Sequence, residues 1–214
     1  MRRFALAFLL ILSVAVFALK PLHDLEPAIK LARIEHKKII LIFETRTCGY
    51  CKMLNETTLK DEKVESFLEA NYITVVVYAD ENPKIFSEFG VRATPTIWFF
   101  EFKEGKLQAI TYVPGYLPAD LFLKVLKYVY KLPKEEFKEY MKKEDDFKGE
   151  RLLLEVSEED AFFVLKHDPL AFIVKDASQY KGESFVYITK DEKLAKWLRE
   201  RSFRVLLVKE GNEK

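Results

Sequence analysis

From Leu25 onward the apolar positions follow two rhythms. Leu25, Ala28, Ile29 and Ala32 recur at helical spacing, with Pro27 in the first turn and Lys37-Lys38 at the end. Ile39 to Phe43 is an unbroken β-branched and apolar run, the pattern of a strand buried on both faces. The chain then passes through a polar loop into Cys48-Gly49-Tyr50-Cys51-Lys52-Met53-Leu54 at the start of a helix. Asp61 is placed to cap a further helix carrying Val64, Phe67 and Leu68. Ile73 to Ala79 predicts a second central strand. Asn82-Pro83 opens a helix that Gly90 stops in a left-handed cap. Val91 to Thr96 is a loop, and Ile97 to Phe100 a strand. Glu104-Gly105 turns the chain into the strand Leu107 to Tyr112, and Pro118-Ala119-Asp120 starts a helix over Leu121 to Lys131. The predicted order is α, β, α, α, β, α, β, β, α.

Residues 133–150 are mostly charged and predict a solvated helix or linker. A second α/β unit follows. Leu152 to Val156, Ala171 to Lys175, Phe185 to Thr189 and Val205 to Val208 read as strands. Ser157-Glu158-Glu159-Asp160 and Asp191 are placed to cap its helices, the second running through Arg201.

The N-terminus departs from these rhythms. Met1-Arg2-Arg3 precedes an uncharged run of 16 residues, Phe4 to Leu19, short of the ~20 that span a bilayer. Val16-Phe17-Ala18 suits cleavage after Ala18. Residues 1–19 are therefore expected to be a signal peptide or a signal anchor. The protein is expected to be exported, periplasmic or otherwise extracytoplasmic. Composition adds little: 49% hydrophobic residues suffice for a core, and 32% charged residues with few glycines lean towards a heat-stable protein. The net charge of +1, without a basic patch interleaved with aromatics, argues against a nucleic-acid partner.

The two cysteines are three positions apart, too close to close a long stabilising loop. In an exported chain such a pair points to redox chemistry. A thiol attacks a disulfide as thiolate, and a helix N-terminus lowers the thiol pKa by its unpaired N–H groups and partial positive charge. Cys48 would sit at that terminus as the nucleophile. Cys51, almost one turn on, would be the more buried resolving thiol.

Several motifs in order resemble the thioredoxin superfamily over residues 25–131. They are the strand before Cys48-Gly49-Tyr50-Cys51-Lys52, then Asp80-Glu81-Asn82-Pro83, then Phe89-Gly90-Val91-Arg92-Ala93-Thr94-Pro95-Thr96, an aromatic strand, and Glu104-Gly105-Lys106. The resemblance implies an α/β thioredoxin fold, a central mixed sheet flanked by helices, over residues 20–132. It implies that Pro95 is cis and faces the cysteines. Thr94 and Pro95, with Gly49 and Tyr50, would bind an extended segment of a client protein. No cofactor beyond the dithiol is implied. Clients would carry disulfides or cysteines, and a membrane electron donor would keep the pair reduced.

Two departures bear on mechanism. The family's buried acid six residues before the first cysteine is Ile42 here. Glu44 is the nearest acid, a candidate proton shuttle or equally a solvated loop residue. Gly49-Tyr50, with Thr94 before Pro95, is similar to periplasmic disulfide isomerases. Cys51-Lys52-Met53-Leu54 is similar to small exported reductases, so the direction of electron flow stays open.

Residues 152–211 faintly resemble a rhodanese-like module. Ile188 stands where that family's nucleophilic cysteine would be, and no cysteine follows Cys51, so persulfide chemistry is absent. Residues 151–214 are read as a degenerate docking or dimerisation unit. Two other readings remain: metal delivery, chiefly of copper, through the same thiols, and a non-catalytic binding module. His23, His36 and His167 are scattered, and no histidine follows Pro95 within the thioredoxin-like segment.

Overall fold

A computed structural model describes residues 21–209. The apolar run 4–19 and residues 210–214 lie outside the described residues.

The first unit contains helix α1 (Leu25–Glu35), strand β1 (Lys38–Glu44), helix α2 (Gly49–Met53), α3 (Glu62–Asn71), β2 (Tyr72–Tyr78), α4 (Pro83–Glu88), β3 (Thr96–Lys103), β4 (Lys106–Pro114) and α5 (Ala119–Lys131). The order matches the one read from periodicity. A single π turn, Leu54–Thr58, continues α2. The strands form one mixed sheet in the order β2-β1-β3-β4, with β1 parallel to β2 and β3 antiparallel to both β1 and β4. Strand polarity explains the unbroken apolar run of β1. Ile39, Leu41 and Phe43 face one core, while Ile40 and Ile42 face another on the opposite side. The outer edge of β2 is partly covered by Leu22, which donates to Thr74 O at 2.8 Å and accepts from Val76 N at 2.9 Å.

The second unit is β5 (Leu152–Val156), α7 (Glu158–His167), β6 (Ala171–Ile173), β7 (Val186–Thr189), α8 (Glu192–Arg199) and β8 (Arg204–Val208). Its strands form an all-parallel sheet in the order β5-β8-β7-β6. Between the units lies the short helix α6 (Phe137–Tyr140). The charged stretch 133–150 is not a free solvated tether. Tyr140 is buried and its hydroxyl donates to Asp145 Oδ2 at 2.6 Å, while Phe147 packs against Phe67 and Tyr130. Widely spaced aromatics within a charged stretch pin it to α3 and α5.

The two units share a core. Ala28, Leu31, Ala32 and Ile34 of α1 belong to the same buried cluster as Ala161 and Val164 of α7, Val186 and Ile188 of β7, and Leu206 and Val208 of β8. Helix α1 thus has apolar contacts with both units. Arg204, 1% exposed, closes the polar side of this junction. Its guanidinium donates to the carbonyls of Glu35 (2.7 Å) and His36 (3.3 Å) at the C-terminus of α1, and to those of Glu150 (2.7 Å) and Phe203 (2.8 Å). Beside it, Lys37 Nζ lies 2.7 Å from Glu35 Oε2 and 4.0 Å from Asp168 Oδ2.

Candidate active site

Strand β1 ends at Glu44, and the loop Thr45–Thr47 delivers Cys48 to the N-cap of α2. Cys48 has extended backbone geometry, φ −78° and ψ 110°, as an N-cap requires. Its Sγ accepts the N–H of Cys51 at 3.0 Å. Sulfur therefore takes the place of the oxygen that usually caps a helix start, where a thiolate gains most from unpaired N–H groups. Cys48 and Cys51 form a disulfide with Cα atoms 5.2 Å apart. Cys48 is half-buried, whereas Cys51 is only 2% exposed. The first cysteine is thus the more open of the two.

The loop before β3 faces this pair. The Thr94–Pro95 bond is cis. Thr94 O lies 3.3 Å from Cys48 Sγ, and the hydroxyls of Thr45 and Thr94 are 3.3 Å apart. Pro95 O accepts from Gly115 N at 2.7 Å, which ties the loop to the end of β4. Gly115 has φ 86°, a conformation that suits glycine. Cys48, Thr94 and Pro95, some 46 residues apart in sequence, are thus brought together. Gly49 and Tyr50 are exposed at the tip of the helix start.

Glu44 is buried at 2% exposure rather than solvated. Asn55 Nδ2 lies 3.0 Å from each of its carboxyl oxygens. Asn55 stands one helical turn beyond Cys51, so the acid sits under the redox helix. Burial pushes the Glu44 carboxyl above its ordinary range, and the Asn55 hydrogen bond and nearby His23 pull it partly back. Ile42 is fully buried in the apolar core. The buried acid of this strand is thus at its end, Glu44, and not at mid-strand. Asn55 was not singled out in the sequence; its position four after Cys51 was the available signal.

Arg46, in the same loop, is held by Asp80 Oδ2 at 2.8 Å and by Glu81 Oε1, and its guanidinium lies 4.8 Å above the Tyr78 ring. Asp80 and Glu81, quoted above as part of a family motif, serve here as anchors for the redox loop. Among the described residues, no group of three or more His, Cys, Asp or Glu is placed to hold a metal ion.

With its cysteines joined at a helix start and the cis-proline loop against them, the site is built for thiol–disulfide exchange, and the protein is a thiol–disulfide oxidoreductase. A family profile described as a thioredoxin-like domain matches residues 25–130. Thioredoxin of Pyropia yezoensis is 32% identical over 76 residues, covering 36% of this chain and 68% of that protein. The thiol:disulfide interchange protein DsbD of Campylobacter jejuni (strain RM1221) is 34% identical over 95 residues, 42% of this chain. The chain spans only 16% of that relative's length. The solution structure of a thioredoxin from Thermus thermophilus aligns with a TM-score of 0.49 and 28% identity, covering 53% of this chain and 88% of that one. The chain belongs to the thioredoxin superfamily.

Proposed function

We propose that this protein is an exported thiol–disulfide oxidoreductase that reduces, or isomerises, disulfides of extracytoplasmic client proteins. The observation that carries the role assignment is the asymmetry of the pair: Cys48 is half-buried and its Sγ accepts the Cys51 N–H, while Cys51 is only 2% exposed. Starting from the dithiol, Cys48 thiolate attacks one sulfur of a client disulfide. A mixed disulfide forms and the other client sulfur leaves as thiolate. Glu44 accepts the Cys51 proton, and Cys51 attacks Cys48 Sγ, expelling the second client thiolate and leaving the Cys48–Cys51 disulfide. Two electrons pass to the client, and a dithiol donor at the membrane restores the pair. Gly49, Tyr50, Thr94 and Pro95 receive the client segment, with backbone groups of Thr94 offering strand-like pairing.

Similarity over 95 residues to a protein named for thiol:disulfide interchange supports the reaction. Arg2-Arg3 and the uncharged run 4–19 support export. Residues 151–214 would serve docking or dimerisation, a reading supported by exposed Phe162 and Ile173.

The test is a trapping pair. Cys51→Ser accumulates a mixed disulfide with a disulfide-bearing client through Cys48, and Cys48→Ser accumulates none. The reverse pattern would exchange the two roles.

A further inference from the structure

Where the two units meet, beside β2, lies a cavity of about 40 Å³. Leu31 and Ile73 contribute to its apolar wall, and Lys37, Glu69, Thr74 and Asp168 also line it. These four polar residues come from distant parts of the chain. Lys37 precedes β1, Glu69 is in α3, Thr74 in β2, and Asp168 follows the last residue of α7. All four are deeply buried: Lys37 is 4%, Thr74 6%, Glu69 7% and Asp168 7% exposed.

A buried polar atom is costly unless it is hydrogen-bonded. Among the described residues, Thr74 Oγ1, Glu69 Oε1 and Asp168 Oδ2 have no hydrogen-bond partner. The other carboxyl oxygen of Asp168, Oδ1, accepts from Leu170 N at 2.7 Å. Asp168 Oδ2 lies 4.0 Å from Lys37 Nζ, whose nearer partner is Glu35 Oε2 at 2.7 Å. A polar gap of 4.0 Å is too long for a direct hydrogen bond and suits a bridging molecule.

The lining decides what that molecule is. An anion would meet the carboxyls of Glu69 and Asp168, with Glu35 behind them. A cation would meet the Lys37 ammonium, and no group of three or more His, Cys, Asp or Glu among the described residues is placed to hold a metal ion. The volume admits a water and excludes anything much larger. Water both gives and takes hydrogen bonds. It can donate to Asp168 Oδ2 and Glu69 Oε1 while accepting from Lys37 Nζ and the Thr74 hydroxyl, the two to four partners that a buried water needs.

We infer that this cavity is a hydration site in which one ordered water bridges Glu69 and Thr74 of the first unit to Asp168 of the second, with Lys37 as a donor. The water supplies a polar tie between the units in addition to Arg204. The inference is independent of the redox assignment.

The test is a crystal structure of the full chain at a resolution that shows ordered waters, with Thr74→Val and Glu69→Met singly and together. In the unaltered protein, one water oxygen should lie within about 3.2 Å of at least three of the four polar atoms. The double variant, whose cavity has lost two of those partners, should show none. Urea denaturation gives a second readout in solution. Thr74 and Glu69 make no direct hydrogen bond, so coupling between them passes through the water. Thr74→Val should raise the unfolding constant by about fivefold more in the unaltered protein than in Glu69→Met. A dry cavity in the unaltered protein, a metal ion or anion in place of the water, or strictly additive effects of the two substitutions overturns the inference.

Discussion

If Glu44 takes the Cys51 proton as proposed, its own surroundings set the pH at which it can do so. Glu44 is buried, and its carboxyl is raised for that reason, with Asn55 opposing the shift. An acid accepts a proton only when ionised, so release of the mixed disulfide by Cys51 should fall as pH drops through the raised Glu44 value. Glu44→Gln should slow that release by about tenfold to a hundredfold and remove its acid limb. Asn55→Ala takes away a hydrogen bond to the carboxylate, so the limb should move to higher pH. Stopped-flow release from the trapped intermediate, measured across pH, checks both. A Glu44→Gln profile identical to the unaltered protein's would remove Glu44 from the mechanism. The same burial has a stability consequence. A carboxyl raised in the folded state stabilises least once pH has risen through its folded value, so Glu44→Gln should flatten that decline in urea denaturation. The sequence left Glu44 ambiguous, because strand-end and loop-start positions look alike until the helix carrying Asn55 is laid over them.

Helix α1 is the element on which the two units depend. Its carbonyls bind Arg204, and its last residue, Glu35, is fully buried beside Lys37 and Asp168. Burial pushes Glu35 up to about 8 against the pull of Lys37, with Asp168 adding to the rise. Glu69 of α3 is pushed to about 7 by burial and by Glu65, with Lys37 and Ser184 opposing and Asp168 reinforcing. Both groups hold protons in the folded state that the unfolded chain has released above its carboxylate range. Stability should therefore fall as pH rises from about 4.5 through about 8, and Glu35→Gln should reduce the slope. A stability that rises over this window would contradict the junction described. Arg204→Ala would leave the carbonyls of Glu35, Glu150 and Phe203 short of a donor, a loss of about 3 kcal/mol or more by urea denaturation. The helices and strands themselves were legible, because caps at Asp61, Ser157 and Asp191 and the run Ile39–Phe43 act locally. What Arg204 binds was not, since a partner 169 residues away leaves no local pattern.

Across the whole molecule, the shared core means that the second unit completes the first. Ala28, Leu31 and Ile34 share one buried cluster with α7, β7 and β8 as well as with β1 and β2, so removing the second unit would open part of that core. The full chain should unfold in one transition by calorimetry, and a chain ending at residue 132 should lose much of its stability or aggregate. Two well-separated transitions would show that the junction is a mere contact. The redox motif was readable in the sequence because its chemistry sits within four consecutive residues and its strand and loop precede it directly. The tie between Pro95 and Gly115 was not, because that backbone bond exists only once the sheet has folded.

The redox role of the pair is decided by equilibrating the protein against glutathione buffers, with alkylation and intact mass as the readout. One reversible two-electron transition is expected, in which Cys48 and Cys51 gain and lose their alkylation together, at about −270 mV for a reductase and about −180 mV for an isomerase. Thiols that fail to exchange reversibly at any poise, or that titrate independently of each other, would contradict it.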